Sequence, residues 1–285
     1  MSEEAIERAS LGRAAPPRGA RRIPRWLRAL LTAFAFAMFF SLACVLSGLA
    51  VVLTSAAPDA EARRRFTARL NRGFRPFLFF LRRAGLIAFE PTRLPEGYGE
   101  RAFLMVANHP TLLDVLLVLA AHPELVSVVK ASWYRSPLLG PLLRRSAHVP
   151  GPGHDGDRTE GDAPVVRRIE AALEAGAPVL VFPEGTRSSP THLSRFRRGA
   201  IEAAVRARVP ILPLFIDVDP PVLTKGWRPW DFPDRRPTYA FEWLDPIAPE
   251  ALAAGSHTLT RQLSQSYQAL FARTLAGRAT RSPTP

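Results

Sequence analysis

The chain of 285 residues has almost no cysteine and almost no lysine. Cys44 is its single cysteine, so no intrachain disulfide framework and no multi-thiolate metal site are available. Lys130 and Lys225 are the only lysines, and arginine supplies the rest of the 38 cationic side chains. No G-x-S-x-G elbow occurs, which leaves serine-hydrolase chemistry without its nucleophile. Neither H-E-x-x-H nor paired-cysteine spacing is present, which removes the common zinc patterns. His122, His148, His154, His192 and His257 each stand alone. A G-x-G-x-x-G string at Gly151, Gly153 and Gly156 contains Pro152, follows no good strand and precedes acidic residues, so it is no dinucleotide fingerprint.

What remains is basic and apolar. The net charge is +13 and 47% of the residues are hydrophobic. Such a balance favours anionic partners: nucleic acid, an anionic membrane or an acidic carrier protein. Trp227, Trp230 and Trp243 lie near Lys225 and Arg228, where base stacking and a lipid-interface or core role are both open readings. The adjacent apolar run favours the second, and no nucleic-acid partner is expected.

From Ala29 to Ala57 no residue is charged. As one helix this run would be roughly 43 Å long against a hydrocarbon core of about 30 Å. It either spans with tilt or breaks near Ser47-Gly48 and re-enters. Its length argues against a secretory signal. Arginines flank it on both sides, including Arg21, Arg22, Arg25 and Arg28 before it and Arg63, Arg64 and Arg65 after it. That symmetry favours an anchor with both ends on the cytoplasmic side. The following stretch, residues 63–85, interleaves arginines with Phe66, Leu70, Phe74, Phe77, Leu78, Phe80 and Leu81. It reads as a basic amphipathic helix at the headgroup boundary, with packing on a globular domain as the alternative. The expected organisation is a disordered basic N-terminus (1–25), a membrane anchor with its interfacial helix (26–84), a catalytic domain (85–276) and a disordered tail (277–285).

Beyond residue 85, strands are expected at 102–108, 125–130, 178–183, 209–217 and 238–244, and helices at 111–121, 137–145, 163–175, 198–207 and 257–275. The alternation implies an α/β fold. Residues 150–164, rich in Gly, Pro and Asp, read as a loop.

Two short blocks carry chemistry. In N-H-P-T-L-L-D (108–114) a strand meets a helix, where α/β folds place their sites. Pro110 suits a first helical turn. His109 and Asp114, five apart, do not share a helix face. His109 therefore stands before the regular helix with Asp114 reaching back, an imidazole oriented by a carboxylate and suited to general-base work. The spacing is equally compatible with His109 as a helix cap beside a satisfied Asp114. In F-P-E-G-T-R-S (182–188) a buried strand runs into a glycine turn. Thr186, Arg187 and the turn amides suit a phosphate, and an ordinary surface turn is the alternative.

Together, Asn108-His109 with Asp114, and then Phe-Pro-Glu-Gly-Thr-Arg-Ser some seventy residues on, resemble the PlsC-type glycerolipid acyltransferase family. K-A-S-W-Y-R-S-P-L-L-G (130–140) and V-P-I-L-P-L (209–214) resemble its other blocks. The resemblance covers about residues 85–245. It implies a central mixed sheet flanked by helices, with His109 as general base and Asp114 as its orienting partner. Acceptor binding falls to Asn108, Glu184, Gly185, Thr186 and Arg187, with Lys130 as a further anion contact. It implies no metal and no cofactor. The partners are an acyl-ACP or acyl-CoA donor, a lysophospholipid acceptor (foremost 1-acyl-sn-glycerol-3-phosphate) and the membrane, with the catalytic domain on the cytoplasmic face of a bacterial inner membrane. The sequence departs from the family in one place: the middle block reads A-H-V-P-G-P-G (147–153), without the arginine that the family commonly carries there. That departure keeps other acceptors open, a lyso-ornithine lipid or an aryl-polyene-type lipid. Acyl hydrolysis by the same pair and a non-catalytic lipid-binding role are further alternatives.

Overall fold

The computed structural model describes residues 24–53, 59–99, 101–152, 163–227 and 233–279. The disorder expected at the N-terminus, most of the 150–164 loop with His154, the residue Trp230 and the end of the tail lie outside the described residues.

Helix α1, Arg25–Leu53, is continuous through Ser47-Gly48. No proline interrupts it, and a Cβ at Gly48 would meet nothing within 4 Å, so a single glycine is tolerated. One face of α1 is fixed to the rest of the protein. Arg28 is buried and donates to the carbonyls of Pro233 and Arg235, and the Ser47 hydroxyl donates to the Leu138 carbonyl. Ala35 is fully buried, and the Phe39 ring lies 4.9 Å from that of Phe77. The opposite face leaves Trp26, Leu30, Phe34, Met38, Leu42 and Val45 exposed.

The basic amphipathic stretch forms two helices, α2 (Ala60–Arg72) and α3 (Phe74–Arg83). Asp59 caps α2 by accepting from the Ala62 amide at 2.7 Å. Pro76 has no N–H for the Arg72 carbonyl and its ring crowds that carbonyl, so one helix cannot run through. The apolar side expected at the headgroups is turned inward instead. Phe77, Leu78 and Leu81 are buried in the same cluster as Met105, Leu117 and Leu214. Asn71 donates to the carbonyls of Pro123 and Leu125, and Arg75 to that of Ala120. Only Phe79, 64% exposed, is left outside among the large apolar residues of the pair. Residues 60–83 therefore share one core with the domain that follows.

That domain is built on a seven-stranded mixed sheet: β1 (Ala88–Phe89), β2 (Leu104–Ala107), β3 (Val126–Val129), β4 (Val149–Pro150), β5 (Val179–Val181), β6 (Ile211–Asp219) and β7 (Thr238–Trp243). The order is β1-β7-β6-β2-β5-β3-β4. The strands from β6 to β4 are mutually parallel, while β7 runs antiparallel to β6 and carries β1 with it. The helices are α4 (Asp114–Ala121), α5 (Ala131–Tyr134), α6 (Gly140–Arg145), α7 (Ala163–Glu174), α8 (Gly199–Ala207) and α9 (Gly255–Ala279).

Alternation along β2 divides the core. Met105 and Ala107 face α1, α3 and α4, whereas Leu104 and Val106 face α7, α8 and α9 with Ile169, Ile201 and Tyr267. All four are fully buried, as parallel strands covered on both faces require. Burial of Leu104, Met105 and Val106 contributes about 1.5–3 kcal/mol each. The five expected strands are present. The two-residue strands β1 and β4 and the short α5 are too brief to leave a periodic signal. Helix α4 starts at Asp114 rather than 111, so Pro110 lies in the turn before the helix and not in its first turn.

Candidate active site

Parallel β2, β5 and β3 deliver their following loops to one sheet edge, and the two sequence blocks meet there. Asn108, the first residue after β2, is buried and extends the β2–β6 pairing with its side chain. Its Nδ2 donates to the Ile216 carbonyl at 2.8 Å, and its Oδ1 accepts from the Ile216 amide at 2.7 Å. Read from sequence as an acceptor-binding residue, Asn108 is placed here as the clamp that aims the next residue.

His109 projects beyond that clamp. Its Nδ1 lies 3.0 Å from Asp114 Oδ2, with the imidazole 19% exposed and the carboxylate fully buried. Nε2 has no hydrogen-bond partner among the described residues. The ring stacks on Phe182 at 4.2 Å between centroids, which fixes its plane. Asp114 reaches back because residues 111–113 are not yet helical. The Thr111 amide donates to Oδ2 at 2.6 Å and the Thr111 hydroxyl to Oδ1 at 2.6 Å. A buried carboxylate needs such donors. With Asp114 ionised, Nδ1 carries the proton and Nε2 presents its lone pair. The helix-cap alternative fails, since α4 begins five residues later and His109 makes no bond to its amides.

The second block grips His109 from behind. Glu184 is buried; its Oε1 accepts from the His109 amide at 3.1 Å and the Ser188 hydroxyl at 2.6 Å, and its Oε2 from the Ser194 amide at 2.9 Å. The Ser188 amide donates to the His109 carbonyl at 2.7 Å. Both backbone groups of His109 are thus held by residues 184–188. The structure places both Glu184 oxygens against donors of this frame.

Gly185 has φ +67°, and a Cβ there would lie 2.9 Å from Arg197 Nε, so no other residue fits without displacement. The left-handed glycine turns the chain so that the amides of Thr186 and Arg187 have no hydrogen-bond partner among the described residues. Neither has the Thr186 hydroxyl. This concave arrangement suits an anion. Arg187 directs one terminal nitrogen to the carbonyls of Leu223 and Thr224, both at 2.9 Å, leaving Nε and the other terminal nitrogen as donors. The Leu112 amide also donates to Leu223, so the 220–227 loop joins both blocks. Lys130 follows β3, two strand spacings or about 10 Å from β2 on the same edge. It is exposed, and its ammonium has no partner among the described residues.

The middle block forms β4, whose end lies beside Lys130. Arg144, earlier in the chain, donates one terminal nitrogen to the Tyr134 carbonyl at 2.6 Å. Sequence reasoning gave no role to Thr111, Phe182, Ser188 or Tyr239. Thr111, three residues before Asp114 in a turn, carried a usable signal; Tyr239, remote in sequence, carried none. No group of three or more His, Cys, Asp or Glu side chains among the described residues is arranged to hold a metal.

The architecture is an α/β domain that carries a His109–Asp114 pair at the carboxyl ends of its parallel strands. Residues 86–217 match the sequence model of the family described as Acyltransferase. The chain is 30% identical over 109 residues to the 1-acyl-sn-glycerol-3-phosphate acyltransferase BAT2, chloroplastic, of Brassica napus, covering 38% of this chain and 31% of that one. It is 30% identical over 135 residues to the probable 1-acyl-sn-glycerol-3-phosphate acyltransferase of Mycoplasma pneumoniae, covering 43% and 47%. It thus spans about a third to a half of the length of these curated relatives. The crystal structure of the 1-acyl-sn-glycerophosphate (LPA) acyltransferase PlsC from Thermotoga maritima shares the fold, with a TM-score of 0.65 at 21% identity over 89% of this chain and 98% of that one. Residues 86–217 are thus similar in sequence to members of the Acyltransferase family, and the chain shares its fold with PlsC.

Proposed function

We propose that this protein is an O-acyltransferase moving a fatty acyl group from an acyl thioester to the hydroxyl of a lysophospholipid, with 1-acyl-sn-glycerol-3-phosphate the foremost acceptor. The observation that carries this reading is His109 held at 3.0 Å by a buried Asp114 while its Nε2 stays open. Nε2 takes the acceptor hydroxyl proton as the oxygen attacks the thioester carbonyl. The tetrahedral intermediate collapses with cleavage of the C–S bond, and the leaving thiolate takes the proton back from Nε2. Asp114 remains a carboxylate throughout and steadies the transient imidazolium. The Thr186 hydroxyl, the amides of Thr186 and Arg187, the free donors of Arg187, and Lys130 supply the anion contacts for the acceptor phosphate. The excess of arginine suits the acidic surface of an acyl carrier protein as donor, with coenzyme A the other thioester.

The anchor reading rests on α1. Arg28 and Ser47, about 28 Å apart along the helix, are both fixed to the domain. A helix held at both ends by one soluble body lies along that body, with its Trp26–Val45 stripe in a single leaflet, rather than crossing the bilayer. Catalysis is assigned to the cytoplasmic face of a bacterial inner membrane.

Acyl transfer by purified membranes tests the function. Labelled acyl-carrier protein or acyl-CoA is offered with lysophosphatidate, with lyso-ornithine lipid and with no acceptor, for wild type and His109→Ala. Lysophosphatidate-dependent product that falls about 10²–10⁴-fold in the variant is the expected result. Transfer to the other acceptor alone moves the substrate, and acceptor-independent release of fatty acid gives a hydrolase. Equal activity in both proteins overturns the reading.

A further inference from the structure

Tyr239 on β7 is a buried tyrosine for which catalysis has so far required nothing. Its hydroxyl lies 3.0 Å from Thr111 Oγ1, which lies 2.6 Å from Asp114 Oδ1. Thr111 has one hydroxyl proton, and the short contact to an acceptor-only carboxylate takes it. Thr111 must then accept from Tyr239, as it also accepts from the Leu113 amide at 3.2 Å. Burial, and then the Asp114 charge, push the Tyr239 phenol well above its ordinary range, so the proton needed for this donation is always present. Among the described residues the Tyr239 hydroxyl has no other hydrogen-bond partner. The donations converge on Asp114: Tyr239 donates to Thr111 and Thr111 to Asp114 Oδ1, while His109 Nδ1 donates to Asp114 Oδ2.

We infer that Tyr239 and Thr111 are positioning residues that hold the Asp114 carboxylate in the plane and rotamer in which it orients His109. The inference rests on His109 acting as the base. Oδ2 alone serves both His109 and the Thr111 amide, so rotation of the carboxylate would break the His109 contact; the bond to Oδ1 prevents that rotation. Thr111 in turn is fixed by three partners, and Tyr239 ties it to a strand two places away in the sheet. Hydrogen bonds in such a chain polarise one another, so loss at Tyr239 reaches Asp114 through Thr111.

The experiment is a double-mutant cycle of Tyr239→Phe and Thr111→Val, with Thr111→Ser as the conservative control, on the full chain in membranes. Two readouts are taken: kcat and acceptor KM for acyl transfer, and the rate of His109 carbethoxylation by diethyl pyrocarbonate, measured on its peptide by mass spectrometry. Tyr239→Phe is expected to lower kcat about 3–10-fold, the size of one net hydrogen bond, with acceptor KM unchanged and His109 modification slowed. Thr111→Ser should retain most of the wild-type rate. In the Thr111→Val background, Tyr239→Phe should cost nothing further, because the path is already cut. Wild-type rates in Tyr239→Phe, or a double variant losing the product of the two single losses, would overturn the proposal and leave Tyr239 as packing only. Carbethoxylation needs neither donor nor acceptor. If the wild type transfers no acyl group, the proposed function fails while the cycle on His109 reactivity still decides the relay.

Discussion

Replacing Glu184 by glutamine keeps the side chain's shape and exchanges one carboxylate oxygen for an NH₂ group. In the folded protein three donors converge on that carboxylate: the His109 amide at 3.1 Å, the Ser188 hydroxyl at 2.6 Å and the Ser194 amide at 2.9 Å. In one orientation the new NH₂ faces the Ser194 amide. In the other it faces the His109 amide and the Ser188 hydroxyl. Either way at least one donor meets a donor in a buried site, and the bonds that survive lose their charge assistance. Each charge-assisted bond contributes about 1.5–3 kcal/mol, so a loss of about 3 kcal/mol is expected, lowering Tm by about 6–12 °C in a chain of this size. The His109 amide would then face a donor in the second orientation and only an uncharged carbonyl in the first, so kcat should fall about tenfold while the acceptor KM stays within twofold. Thermal unfolding of the purified protein and steady-state kinetics on lysophosphatidate measure the two effects. Were Glu184 a direct headgroup contact, acceptor KM would rise with Tm and kcat unmoved; that pattern would refute the structural assignment.

Lys130→Ala should raise the KM for a phosphate-bearing acceptor about tenfold, the size of one lost charged contact, and leave Tm within a degree, since the ammonium is exposed and unpaired among the described residues. Kinetics with lysophosphatidate and with an uncharged monoacylglycerol separate the phosphate contact from any general effect. For pH dependence, burial pushes the His148 imidazole down to about 4, and its Nδ1 accepts from the Ser127 amide at 3.0 Å. The neutral form is the folded form, so its contribution is full above the ordinary histidine value of 6.5 and is lost as pH falls towards 4, by up to about 1.4 kcal/mol per pH unit. Tm measured from pH 7 to pH 5 should therefore drop, and a His148→Gln variant should flatten that part of the curve. Replacing Trp26, Phe34 and Leu42 together by serine should release the protein from vesicles in a flotation assay while preserving His109 reactivity, because these side chains point away from the domain.

The contact between His109 and Asp114 was legible because its constraint is local. A spacing of five from His109 to Asp114 forbids a shared helix face, and only a pre-helical turn satisfies both positions. The five longer strands were legible for the same reason, each an apolar run closed by a turn. What escaped depends on contacts between distant segments. Asn108 and Glu184 read as ligand-binding residues, and the contacts by which they also frame His109 left no local signal. Their partners, Ile216 and Ser194 among them, become visible only when β2, β5 and β6 lie side by side. The amphipathic pattern of residues 63–85 was read correctly as one apolar and one basic face, but periodicity does not say what covers the apolar face. Here the cover is α4 and the β2–β6 region, and the arginines that suggested lipid headgroups include Arg75, which binds the end of α4.

The same limit acts on α1. Hydropathy counts 23 residues, Trp26–Gly48, as long and apolar enough to cross a membrane. What decides the geometry is the pair of polar side chains that hydropathy averages away. A spanning helix would carry Arg28 and Ser47 to opposite faces of the bilayer, yet both are bonded to segments of one domain. The side of α1 between them bears Thr32, Ala35 and Ala43, small enough for close approach to the domain, while the bulky stripe from Trp26 to Val45 points outward. Leu112 and Trp133 are exposed as well, one beside His109 and the other beside Lys130 in the sequence. On the proposed function, a base that takes a proton from a lipid hydroxyl is served by apolar surface on the same face, and a helix α1 lying flat in one leaflet would bring the exposed Leu112 and Trp133 to that surface.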